Sequence, residues 1–137
     1  MARPSVELAA ALAEQIRQEA EIAAPRECCG LIEGLREGAW FRVTALHAAR
    51  NLALEPDRFD VDPRDHLAAS KTARARGHQI IGCYHSHPHG AAVPSARDAE
   101  GAAEENFLWL IAAGGELAAF VHFRGGFVGA DWVVSPA

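Results

Sequence analysis

The chain has 137 residues, 50% of them hydrophobic, and a net charge of −5. That length suits one domain with a core of its own, and the composition excludes an intrinsically disordered chain. The acid excess, with Lys71 the only lysine, excludes a basic nucleic-acid-binding stripe, and no apolar run approaches the roughly 20 residues that a membrane-spanning helix needs.

Leu8, Leu12 and Ile16 recur at four-residue intervals, so residues 5–23 are expected to form an opening helix with one buried stripe, stopped by Pro25. Strands are expected over 27–34 and 40–46, divided by a turn at Glu37-Gly38, with a further extended piece at 58–61. Asp62-Pro63 suits the start of a second helix, with Asp62 as cap, that ends near Gly77. Arg74 and Arg76 then lie on its exposed side and end, where the helix dipole favours positive charge. Gln79-Ile80-Ile81-Gly82-Cys83-Tyr84 is an apolar run that reads as a strand leaving a core. A third helix is expected over 95–105. Three apolar segments, 107–112, 117–123 and 127–134, broken at Gly114-Gly115 and Gly125-Gly126, read as consecutive strands. Helices among the early strands and strands alone at the end imply an α/β chain: one domain over 1–137, with a single mixed sheet and helices packed against it.

The chemistry concentrates where the 79–84 strand ends. His85 and His87 alternate with Tyr84 and Ser86, so they share a strand face with Cα atoms roughly 6.6 Å apart, and one ion can take a nitrogen from each. Pro88, Gly90 and Pro94 force a turn, after which Ser95-Ala96-Arg97-Asp98 has the form of a helix start. If that helix end meets the strand end, Asp98 supplies a third ligand and Ser95 stands beside the fourth position. Three protein ligands plus an open position is the count of a catalytic zinc; structural zinc is closed by four. Ser95 and Asp98 also make sense as nothing more than a capping box. Cys83 shares the histidines' face and is a conceivable further ligand, though also a common kind of buried residue. His89 stands on the loop within reach of a substrate, while His47, His66, His78 and His122 lack metal spacing, and Cys28-Cys29 suits neither a redox pair nor a zinc knuckle.

His85, His87, Ser95 and Asp98 together resemble the H-x-H-x7-S-x2-D signature of the JAMM, or MPN+, zinc metallopeptidases. The glutamate that the family carries well upstream resembles Glu27, in Pro25-Arg26-Glu27-Cys28-Cys29-Gly30, and Arg58-Phe59-Asp60-Val61-Asp62-Pro63 is similar to a pattern of its small bacterial members. The resemblance implies a layered, cytidine deaminase-like architecture and a Zn2+ cofactor held by His85, His87 and Asp98. It also lifts Glu27 from an anonymous carboxylate to the candidate base. Zinc lowers the pKa of bound water to about 7, so Glu27 would complete its deprotonation and pass the proton to the leaving amine, with the Ser95 hydroxyl on the oxyanion.

As substrate, the resemblance implies a ubiquitin-like sulfur-carrier protein of the ThiS/MoaD type, cut at a peptide or isopeptide bond by its C-terminal Gly-Gly tail. The leaving group, whether cysteine, short peptide or lysine side chain, stays open, as does the oligomeric state. An odd cysteine count of 3, without a signal peptide, suits a reducing cytoplasm. The alternative is a non-catalytic MPN-type scaffold or binding domain for a ubiquitin-like protein. A zinc deaminase is excluded because the chain lacks His-or-Cys-x-Glu followed by P-C-x-x-C.

Overall fold

In the computed structural model, which describes residues 3–135, ten elements run in the order β1 (Ser5–Ala9), α1 (Ala10–Ala23), β2 (Cys29–Glu37), β3 (Trp40–Ala49), α2 (Pro63–Ala75), β4 (Gln79–Ser86), α3 (Ala96–Gly101), β5 (Phe107–Ala113), β6 (Glu116–Phe123) and β7 (Gly126–Ser135). The seven strands close into a mixed barrel, β1-β3-β2-β4-β5-β6-β7. The sheet is therefore mixed, as expected, but closed.

Closure depends on β1. Residues 5–9 were expected to open a helix, yet they form a strand that pairs in parallel with both β3 and β7. Val6 and Leu8 alternate with Ser5 and Glu7 and are fully buried in the barrel, a period of two. Leu8 thus belongs to a strand, and only Leu12 and Ile16 continue the stripe on α1. The glycine turns separate β5 from β6 and β6 from β7 as expected, with Gly114 and Gly125 at positive φ. Asp62 caps α2, accepting from the Arg64 N–H, with Pro63 in its first turn.

Two corrections bear on the site. The 58–61 segment is not a strand: its one strand-like pairing is an isolated bridge, Asn51 to Val61. The third helix stops at Gly101 rather than near 105, with Ala102 already extended. Its short sequence, Ala-Arg-Asp-Ala-Glu-Gly, buries only Asp98, so no apolar face extends it. Glu105 instead accepts the backbone N–H groups of Arg124 and Gly125.

The barrel interior holds Ile32, Phe41, Ile81, Leu108, Leu110 and Val121, with Ile16 of α1 packed against it. A second cluster, Leu31, Ala69, Cys83, Phe107 and Trp109, lies on the opposite face beneath α2. β4 runs between β2 (antiparallel) and β5 (parallel), so its end is braced on both sides. Side chains alternate along it: Tyr84 joins the interior, while Cys83 faces the second cluster, the side that His85 and His87 share.

A buried carboxylate sits near the start of β4. Glu33 is fully buried and pairs with His78 Nδ1 (2.6 Å), His47 Nε2 (2.8 Å) and Arg76 Nη1 (3.2 Å). His47, His78 and Arg76, read from sequence as scattered or solvated, thus converge on one acid. Burial alone would raise its pKa, but the hydrogen bonds from His78 and His47 and the Arg76 charge hold it below the ordinary carboxylate value. A depressed carboxyl contributes stability above its unfolded pKa, and that contribution vanishes as pH falls through the folded value. Urea midpoints are therefore expected to fall below about pH 5, with a flatter acid limb in Glu33→Gln. Parallel acid limbs for the two proteins would count against the cluster.

Candidate metal centre

β4 delivers His85 and His87 at its outgoing end, and the turn after Pro88 returns the chain to α3. Ser95 caps α3 by accepting from the Asp98 N–H (3.1 Å), while its own N–H donates to Asp98 Oδ2 (2.9 Å). The capping box therefore exists, and it fixes the carboxylate that faces the histidines. Asp98 Oδ2 lies 3.1 Å from His85 Nε2 and 3.1 Å from His87 Nε2, and the two nitrogens are 2.9 Å apart. All three residues are buried.

The protonation pattern makes this triangle a fit for a cation. A carbonyl only accepts, so His87 Nδ1, 2.8 Å from the Ala91 oxygen, carries the ring proton of the neutral imidazole and leaves the Nε2 lone pair facing His85 and Asp98. Burial lowers the His85 pKa and favours its neutral, ligating form, against the pull of Asp98. Burial would raise Asp98, yet the hydrogen bonds and charge of the histidines and the Ser95 N–H hold it well below the usual range. Burial also opposes charge on His87, but Asp98 and the Ala91 carbonyl outweigh it and raise its pKa. Two imidazole nitrogens and a carboxylate oxygen thus point at one another. A tetrahedral site with bonds of about 2.0–2.1 Å has ligand atoms roughly 3.3 Å apart, so the triangle needs to open by only a few tenths of an ångström.

Glu27 stands just before β2, tied to β4 through its neighbour Cys28, whose N–H donates to Ser86 Oγ (2.8 Å). A Glu27 carboxylate oxygen lies within 4.8 Å of a nitrogen of both histidines, and its Oε1 is buried without a partner among the described residues. Burial pushes its pKa up to about 7; the His87 charge opposes the rise, and Asp98 and Asp57 add to it. Glu27, His87 and Ser95 all line one cavity of about 400 Å³, together with Pro88 and Pro94. A second cleft of about 410 Å³ runs from Asp98 between residues 58–61 and α3.

Other candidates separate from this group. Cys83 lies one strand repeat inward among Leu31 and Trp109, a buried thiol whose pKa burial raises. His89 lines the cavity wall. His122 donates through Nδ1 to the Glu104 carbonyl (2.8 Å). Ser86, Asn51 and Phe59 were not singled out as site residues. Ser86 was legible only as the middle of His-x-His, Asn51 lies in a stretch for which no element was expected, and Phe59 entered only through the 58–61 segment and the Arg58–Pro63 pattern.

The chain has relatives among known proteins. The chain is 35% identical over 88 residues to a desampylase of Haloferax volcanii and 32% identical over 85 residues to one of Pyrococcus furiosus. These matches take in 64% and 62% of the chain but only 62% and 58% of the relatives' own lengths. Among solved structures, a protein from Desulfitobacterium hafniense superposes with a TM-score of 0.87 at 30% identity, covering 96% of this chain and 94% of that one. A protein from Salinibacter ruber does so with a TM-score of 0.70 at 28% identity, covering 97% and 92%. The profile of the Prok-JAB family matches residues 9–124, and the chain belongs to that family, the prokaryotic homologues of the JAB domain.

Proposed function

We propose that the chain is a zinc-dependent hydrolase that cuts a peptide or isopeptide bond at the C-terminal Gly-Gly tail of a ubiquitin-like sulfur-carrier protein. The observation that carries this is the convergence of His85, His87 and Asp98 to within 3.1 Å beside a buried carboxylate, on the wall of an open cavity. His85, His87 and Asp98 would hold the ion. Zinc bound there supplies a water of pKa about 7 and a Lewis acid for the scissile carbonyl.

The chain's own residues do the rest. Glu27, with one oxygen free of partners among the described residues, takes a proton from the attacking water and hands it to the departing amine, because a base poised near neutrality serves both steps. Ser95 accepts from Asp98 N–H, so its own hydroxyl proton is left to donate to the developing oxyanion. Asp98, held by the Ser95 N–H, presents Oδ2 to both histidine nitrogens.

A Gly-Gly tail suits the two clefts, both lined by Arg97, because an extended segment without side chains can lie close along exposed backbone. The two desampylases among the relatives support an enzyme over a scaffold. A reducing, cytoplasmic setting belongs to the same proposal and accords with Cys28, Cys29 and Cys83 as free thiols.

Incubating the protein with small Gly-Gly-ended carrier proteins, their cysteine adducts and lysine-linked conjugates, and weighing the products, tests the proposal. Cleavage next to Gly-Gly is expected, abolished by a chelator and restored by zinc. Stoichiometric zinc with no cleavage of any of them would favour a binding domain instead.

A further inference from the structure

A metal-binding imidazole is ordinarily oriented by a hydrogen bond from its second ring nitrogen to a carbonyl or carboxylate, which sets both its tautomer and its plane. His87 follows that pattern through Ala91. His85 does not: its Nδ1 is buried and has no hydrogen-bond partner among the described residues. Aromatic rings surround it instead. Phe59 stacks on the imidazole with centroids 4.3 Å apart and planes 22° apart, and Trp109 meets it edge-on at 5.6 Å and 89°. Phe59 and Trp109 also touch each other edge-on, at 5.7 Å.

Trp109 is held by β5, but Phe59 belongs to the loop between β3 and α2, which has one isolated bridge. Asn51 gives that loop its shape. Its Oδ1 accepts from the N–H groups of Ala53 and Asp60 (2.9 Å each), and its Nδ2 donates to the carbonyls of Arg58 and Glu27 (3.1 Å each). An asparagine amide makes at most four such bonds at ordinary geometry, and all are used. Two of them grip the residues on either side of Phe59, and one reaches the main chain of Glu27.

We infer that Asn51 and Phe59 form a positioning unit for the metal centre: Asn51 locks the 51–60 loop, and Phe59, clamped against Trp109, fixes the plane of His85 in place of the missing hydrogen bond. The inference rests on the metal-site reading above. Stacking restrains ring tilt through contact area and the ring quadrupole. Loss of the stack therefore leaves His85 free to turn Nε2 away from His87 and Asp98.

The test uses the full chain and the variants Phe59→Leu, Phe59→Tyr and Asn51→Asp, the last keeping the amide's shape while losing its two donated bonds. Metal affinity is read by competition with a coloured chelator, and site geometry by the visible spectrum of the cobalt-loaded protein. Melting of the metal-free protein reports structural damage. Phe59→Leu is expected to weaken metal binding about 10- to 100-fold, in line with other residues that support metal ligands, and to shift the cobalt bands, with Phe59→Tyr restoring both. Asn51→Asp should reproduce the loss, and the double variant Asn51→Asp/Phe59→Leu should lose less than the sum of the single changes, as for residues acting through one contact.

Wild-type affinity and an unchanged cobalt spectrum in Phe59→Leu would overturn the inference, even with a lowered melting temperature, as would additive losses in the double variant. A wild-type chain that takes up no metal would overturn the metal-site reading and this inference with it. Tight wild-type binding beside an indifferent Phe59→Leu overturns the inference alone.

Discussion

Glu27→Gln is expected to hold the metal as tightly as the natural chain while losing about 10²- to 10⁴-fold in turnover, the usual contribution of a positioned acid-base group. The amide has the size and hydrogen-bonding shape of the carboxyl group but does not accept a proton at neutral pH. The Glu27 oxygen lies within 4.8 Å of the histidine nitrogens, whereas His85, His87 and Asp98 bring ligand atoms to 2.9–3.1 Å of one another. Glu27 Oε1 has no hydrogen-bond partner among the described residues, which suits a base that faces a water better than a fourth corner of the triangle. Asp98→Ala, by contrast, removes a corner of the triangle and the acceptor of the Ser95 N–H, and is expected to lose the metal. Zinc stoichiometry and single-turnover cleavage, measured on both variants, separate the roles. Loss of zinc in Glu27→Gln would make Glu27 a fourth ligand and leave the site without the open position that hydrolysis requires.

The parts of this centre that were legible in sequence are those fixed by short-range geometry. His85 and His87 share a face because a strand alternates, and Ser95 faces Asp98 because a helix start brings the cap to the third position; both relations hold within a few residues. Their approach to each other needed only a turn, which Pro88, Gly90 and Pro94 announce. Glu27 was different: 58 residues separate it from His85, and nothing local marks it, so only the resemblance to a family brought it forward. The same limit explains β1. Leu8, Leu12 and Ile16 satisfy a helical period, Val6 and Leu8 an alternating one, and the choice is made by β3 and β7, which supply the hydrogen bonds on both sides of residues 5–9. Barrel closure is therefore a contact between the two ends of the chain, invisible in any window. Asn51 illustrates a further case, since a polar residue in an irregular loop looks dispensable until its four partners are seen.

Gly82→Ala is expected to destabilise the protein by at least about 3 kcal/mol, the upper part of the range for overpacking, although it adds only one methyl group. Gly82 lies mid-strand in β4, opposite Ile32 on one side and Leu108 on the other. A Cβ there would stand 2.2 Å from the Leu108 carbonyl oxygen and 2.7 Å from the Leu108 Cβ. The nearer obstacle is main chain, which no rotamer change can move, so β4 and β5 must separate. That pairing is also what supports the site: His85 is in register with Ile111, three residues farther along the same ladder. The urea midpoint should therefore drop and metal affinity fall with it, while Gly101→Ala, whose Cβ would meet nothing within 4 Å, is expected to stay within about 0.5 kcal/mol of the natural chain. A Gly82→Ala protein with an unaltered midpoint would mean that β4 and β5 do not approach so closely, and the bracing of the histidines by β5 would go with it.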